Sequence, residues 1–83
     1  MELIDTIDLM KSADYKDRFL AEYYQLKIRY DKLNTMVKKW DKGELNFIPT
    51  CPRETYYMQL NFMKDYLYVL VIRASIENID LKE

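Results

Sequence analysis

The chain has no histidine and one cysteine, Cys51. An intrachain disulfide is therefore impossible, and histidine-dependent zinc sites and catalytic triads are excluded. Glycine occurs once, at Gly43, and proline twice, at Pro49 and Pro52, so few positions break regular structure. Neither sign of charge dominates: 13 basic residues face 14 acidic ones, for a net charge of −1. That balance is not the electrostatic footprint of a duplex-binding protein, although two or three placed cations suffice for a small anion. The longest apolar run, Tyr66 to Ile72, is far short of a membrane span. The first ten residues carry three acids and no basic region, which does not fit a signal peptide. No glycine-rich phosphate loop, nucleophile elbow or metal-ligand spacing occurs. We expect a non-enzymatic protein with no metal and no cofactor.

What the chain does have is heptads. Phe19, Tyr23, Leu26, Tyr30, Leu33, Val37 and Trp40 are spaced alternately four and three apart. Tyr56, Leu60, Met63, Leu67, Leu70 and Ala74 repeat the pattern after a short Gly/Pro segment. Each set makes one apolar seam on a helix. The fold class expected is all-α: a single domain over residues 1–83, built as an antiparallel helical hairpin with long helices at about 14–41 and 52–78. A short amphipathic helix at about 2–11 precedes it, with Leu3, Ile4, Ile7 and Met10 turned inward and Glu2, Asp5 and Asp8 in water. Ser12 or Asp14 is suited to cap the first long helix, and Gly43 to stop it. Surface pairs Asp14/Arg18, Arg18/Glu22 and Lys27/Asp31 have the i,i+4 spacing of helix-stabilising ion pairs. Between the helices, Leu45, Phe47 and Ile48 alternate with polar residues, so the loop is expected to pack across the hairpin end. Pro52 fits the first turn of the second helix, with Thr50 or Cys51 at its cap. Ile79 and Leu81 form a short apolar tail.

The second helix is richer in apolar residues than one partner can cover, with 15 among the 25 from Arg53 to Glu77. Phe62, Tyr66, Val69 and Ile76 form a second stripe, widened by Tyr68, Val71 and Ile72. A patch of that size predicts a homo-oligomer, unless the N-terminal helix hides it. Arg73 falls on this stripe. Two readings stand: an ion pair with an acid across an interface, or an anion site at an oligomer boundary, where the planar guanidinium suits phosphate. Lys27 and Arg29 flank Ile28 in the first helix, and an antiparallel hairpin brings both toward the height of Arg73. Lys27 also has Asp31 as a ready partner. Eight tyrosines supply flat faces with polar tips, suited to nucleobases and interfaces alike.

The segments Tyr15-Lys16-Asp17-Arg18-Phe19, Leu26 to Leu33, Gly43 to Pro52 with its Pro49-Thr50-Cys51-Pro52 linker, and Ile72 to Glu77 carry a likeness. Over about residues 14–81 the chain resembles small phage and prophage proteins related to a crAss-type phage protein. That resemblance implies a phage or prophage origin and a place in the host bacterial cytoplasm. In Leu26-Lys27 and Arg73-Ala74 the chain is also similar to the helical hairpin of phage anti-CBASS cyclic-oligonucleotide sponges. Those assemble as hexamers and sequester immune cyclic nucleotides without cleaving them. By that resemblance Lys27 holds phosphate at one site, Arg29 and Arg73 serve another, and Tyr15 stacks on a base. The sponges place their tyrosine about four turns before the lysine, near Ser12 here, so Tyr15 is an approximate match. The function this implies is sequestration of a cyclic nucleotide immune signal. The alternative is a phage inhibitor that binds a host defence protein, such as a CRISPR effector, through the tyrosine- and methionine-rich face of the second helix.

Overall fold

A computed structural model describes residues 1–82. Three α-helices and no strand occur among them: α1 (Ile7–Lys11), entered through a 3-10 turn at Leu3–Thr6, α2 (Tyr15–Asp41) and α3 (Arg53–Glu77). The start of α2 is fixed by polar side chains. The Asp14 carboxylate accepts from the Lys16 N–H at 3.0 Å, and the Ser12 hydroxyl donates to Asp17 at 2.8 Å. Both satisfy or complement the exposed N–H groups of a first turn. The helix stops where Gly43 turns to φ +70, and the Glu44 N–H closes on the Lys39 carbonyl at 2.9 Å. A side chain at Gly43 would be strained in that left-handed conformation. The last helix ends the same way at Asn78, with φ 56, and the Ile79 N–H reaches the Ala74 carbonyl at 2.9 Å. This turn folds Ile79 back into the core.

Helices α2 and α3 lie against each other with reversed direction. Tyr15 meets Arg73 at one end, Glu22 meets Tyr66 further along, and Asp41 pairs with Arg53 at the other end. The seam between them buries Phe19, Tyr23, Leu70, Ala74 and Ile79 as one cluster, with Leu26 and Leu67 packed on it. Val37 and Leu60 are buried toward the loop end. That end is closed by a polar clasp. Arg53 pairs with Asp41, donates to the Tyr57 hydroxyl at 3.0 Å and lies 5.9 Å from the Trp40 ring centre, while Tyr57 donates to Asp41 at 2.8 Å.

Several expectations are corrected. Helix α3 begins one residue late, so Pro52 is its cap residue rather than part of its first turn, and Thr50 and Cys51 lie outside. The loop does not pack across the end. Leu45 is half-buried, but Phe47 is exposed and Ile48 is 90 % exposed, because the clasp already fills the space between the helix ends. Arg18 does not pair with Asp14 or Glu22. Its Nη1 donates to the Ser12 carbonyl at 2.9 Å, and Glu22 is taken by Tyr66.

The N-terminal segment packs on α2, away from α3, and presents a different face than its apolar residues suggest. Leu3, Thr6 and Leu9 turn inward, while Ile4, Ile7 and Met10 are exposed. The 3-10 turn repeats every three residues, so positions 3 and 6 align on one side before the helix relaxes to α. Thr6 is 1 % exposed. Its hydroxyl donates to the Leu3 carbonyl at 2.7 Å and accepts from Gln25 Nε2 at 2.9 Å. Thr6→Ala is expected to cost about 1–2 kcal/mol, because the Gln25 amide loses its partner. Urea denaturation reads the loss, and amide exchange should quicken most at residues 3–11. Unchanged exchange in that segment would refute the anchoring role.

Candidate functional site

Arg73 stands where the end of α3 meets the start of α2. Its Nη2 donates to the Tyr15 hydroxyl at 2.9 Å, and its Nε makes a long 3.4 Å contact with Glu77. The guanidinium lies 5.0 Å from the centre of the Phe19 ring. Phe19 is itself buried in the core, so the cation rests on a fixed platform, a geometry that cation–π attraction favours. Tyr15 tilts against the same ring, with centroids 6.4 Å apart. Arg73 is therefore not the unpaired charge its neighbours in sequence suggest, and its acid partner is on its own helix. Hydrogen-bonding with Tyr15 holds its pKa above the usual arginine value. Two of the five guanidinium N–H groups are engaged. Nη1 and the second Nη2 hydrogen have no partner among the described residues, and the side chain is 42 % exposed. An open N–H edge of that kind matches the two oxygens of a phosphate or carboxylate.

One turn pair further along, the Tyr66 hydroxyl donates to the Glu22 carboxylate. This bond, then burial, pushes the Tyr66 pKa above the ordinary tyrosine value. The native state thus favours the neutral phenol. The contact's stabilisation is complete below the unfolded pKa of about 10 and is lost as pH rises through the higher folded value. Spectroscopic phenolate titration should show one tyrosine ionising late, and Glu22→Gln should bring it back toward the others. Equal titration in both proteins would rule out the assignment.

Tyr15, Glu22 and Arg29 are seven residues apart and share one edge of α2, as Tyr66 and Arg73 share the facing edge of α3. The first two pairs meet across the seam. Arg29 is exposed on the same edge, about 21 Å from Tyr15 along the helix. Lys27 is on the opposite edge, about 160° around the helix from Arg29. It pairs with Asp31 at 3.7 Å and lines a shallow depression of about 260 Å³ with Met1, Tyr24, Ile28 and Lys82. The structure thus brings Tyr15 and Arg73 together and leaves Lys27 and Arg29 apart from them. The expectation that all three cations stand at similar heights is corrected: Arg73 lies near the end of its helix, level with the first turns of α2. Glu22, Phe19 and Glu77 are the neighbours sequence reasoning missed, and Tyr66, on Arg73's stripe, is turned to Glu22 rather than to a second copy. The sevenfold spacing of 15/22/29 and 66/73 was the available signal.

Among the described residues no grouping of His, Cys, Asp and Glu could hold a metal ion, and no helix is long and apolar enough to cross a membrane. The Sequestin family model matches residues 13–76, which takes in α2, the loop and nearly all of α3. The chain belongs to the Sequestin family. No curated protein and no solved structure matches it. The family's name describes a sequestering protein, which is a binding role rather than a catalytic one. Within this Sequestin chain the matched span holds Tyr15, Phe19, Glu22, Tyr66 and Arg73, and excludes the N-terminal segment and the tail beyond Ile76.

Proposed function

We propose that this Sequestin chain sequesters a cyclic oligonucleotide immune signal in a host bacterium's cytoplasm, on behalf of a phage, without cleaving it. The observation that carries this reading is Arg73, laid on the Phe19 ring, tethered by Tyr15 and open along its outer N–H edge. Such an edge takes a phosphate, and the exposed Tyr15 ring beside it offers a face for a base. Arg29, about 21 Å further along the same edge, is too distant to share one cyclic di- or trinucleotide with Arg73 in a single chain. Lys27, with Tyr24 and Lys82 around its depression, is a separate phosphate locus. Holding a ligand needs no acid–base machinery, and the family's name fits that role.

Calorimetry against cyclic di- and trinucleotides and ADP-ribose-type signals tests the reading. One saturable ligand recovered chemically unchanged is the expected result. A folded protein that binds none of them refutes it. A second reading, direct inhibition of a host defence protein such as a CRISPR effector, is favoured by the exposed Ile4, Ile7 and Met10 of the N-terminal segment. Specific retention of a host protein together with silence in calorimetry would select it.

A further inference from the structure

The segment that follows α3 folds back along α2 and carries Lys82 to the depression at Lys27. After the left-handed turn at Asn78, Ile79 is buried and Leu81 is half-buried against the core, while Asp80 and Lys82 are exposed. That alternation is the pattern of an extended segment with one side on the protein. The segment is held at both ends. The Ile79 N–H closes on the Ala74 carbonyl at 2.9 Å, and the Tyr24 hydroxyl donates to the Lys82 carbonyl at 2.9 Å. Lys82 is thus fixed through its main chain, and its ammonium has no partner among the described residues.

Tyr24, Lys27, Ile28 and Asp31 stand at the i, i+3, i+4 and i+7 positions of one face of α2. Lys82 and Met1 complete the depression of about 260 Å³ over that face. It falls short of the roughly 300–1,000 Å³ of a whole small-molecule pocket, and suits one charged end of a ligand. Two lysines face a single acid in its lining, so positive charge is in excess. Asp31 holds Lys27 only loosely, at 3.7 Å between side chains 40 % and 58 % exposed. A pair so exposed contributes little. An anion with several oxygens can therefore take Lys27 from Asp31 and engage Lys82 at the same time. Ammonium groups meet phosphate as compact point charges on flexible stems, so no fixed fork is needed.

We propose that the segment after α3 is part of a binding site, in which Lys27 of α2 and Lys82 together clamp a diphosphate group. This rests on the reading of Lys27 as a phosphate locus and supplies its second cation. Asp31 is the internal competitor that the anion displaces. The residues beyond Ile76 lie outside the span matched by the Sequestin family, so Lys82 is a contribution of this chain's own tail.

Inorganic diphosphate is the probe, titrated into the intact chain and followed by two-dimensional NMR. Saturable shifts are expected at the amides of Tyr24, Lys27, Ile28 and Lys82. Lys82→Ala should weaken binding roughly three- to fivefold, the upper end for an exposed ion contact. Its melting temperature should not fall, because Tyr24 holds the main chain there and not the side chain. Asp31→Asn should tighten binding by a similar factor, since Lys27 loses its competitor. Lys42→Ala removes an exposed lysine at the far end of α2 and is the control for net charge. Absence of saturable shifts at these residues would overturn the proposal. So would a Lys82→Ala protein indistinguishable from the Lys42→Ala control, or an Asp31→Asn protein that binds no tighter. A chain that takes diphosphate here but no cyclic nucleotide keeps this site and loses the sequestering reading. A chain that binds a cyclic nucleotide through Arg73 but no diphosphate does the reverse.

Discussion

Leu70→Ala is expected to lower the urea midpoint severely and to cut the melting temperature by at least about 10 °C. Leu70 is 0 % exposed and joins Phe19 and Tyr23 of α2 to Ala74 and Ile79 of the α3 end. Truncating such a leucine removes its burial energy and leaves a cavity, together about 2–5 kcal/mol. A domain of this length has a total stability of roughly 4–12 kcal/mol, so one residue carries a large share of it. No disulfide can offset the loss, because Cys51 is the only cysteine and is exposed. The cavity would open beneath Phe19, the ring on which Arg73 rests, so loosening of the core and loss of the Arg73 geometry should appear together. Ile48→Ala, in the exposed loop, is the control and should change the midpoint little. Denaturation at one fixed protein concentration checks both, since association would otherwise shift the midpoint. Equal midpoints for the two variants would contradict the assigned core.

The second large effect is on binding. Arg73→Ala should weaken binding of the cyclic nucleotide that binds best by roughly 10- to 100-fold, the size of one charge-assisted hydrogen bond. The fold should survive, since the side chain is 42 % exposed and its ion pair with Glu77 is an exposed i,i+4 contact. Arg73→Lys keeps the charge but loses the planar fork, so an intermediate loss is expected. Tyr15→Phe removes the tether while keeping a ring, and should cost less than either. The graded order separates a guanidinium that grips phosphate from one that merely supplies positive field. Lys27→Ala should reduce the number of ligands bound per chain without reproducing the Arg73 loss, because Lys27 sits on the other edge of α2. Titration calorimetry at two salt concentrations reads all four variants, and affinity should fall as ionic strength rises. Retention of wild-type affinity by folded Arg73→Ala would remove Arg73 from the site.

The buried seam was legible from spacing. Phe19, Tyr23, Val37, Leu60, Leu70 and Ala74 all stand in the heptads, and all are buried. A helix of 25 residues or more repeats its period often enough for a few exposed apolar positions not to blur the face. The N-terminal segment has no such redundancy. Ile4, Ile7 and Met10 looked like the inner face, yet Leu3, Thr6 and Leu9 are turned inward. Nine residues that start as a 3-10 turn shift phase within one turn, and a polar threonine is buried because Gln25 of α2 meets it. Neither fact resides in the segment itself. The loop misled for a related reason: its alternating Leu45, Phe47 and Ile48 resembled a packing strand, while the space they would fill belongs to Trp40, Arg53 and Tyr57.

The cations divide along the same line. Their helices and positions were plain from the sequence, as was the suitability of arginine for phosphate. Their neighbours were not. Which residue of α2 stands beside Arg73 depends on the register between two helices, and that register is set by the loop length, the Arg53–Asp41 clasp and the fit of Leu70 against Phe19 and Tyr23. A shift of one turn would exchange Tyr15 for Phe19, or carry Arg73 past the start of α2, and dissolve the cluster. By itself, then, the sequence determined the all-helical class, the two long helices and the side each of these turns to the other, because these follow from periodicity along one chain. Only the tertiary structure decided that Tyr15 and Phe19 stand beside Arg73, that Tyr66 meets Glu22, and that the N-terminal segment leaves the second apolar stripe of α3 uncovered, because these depend on how separate helices meet in space.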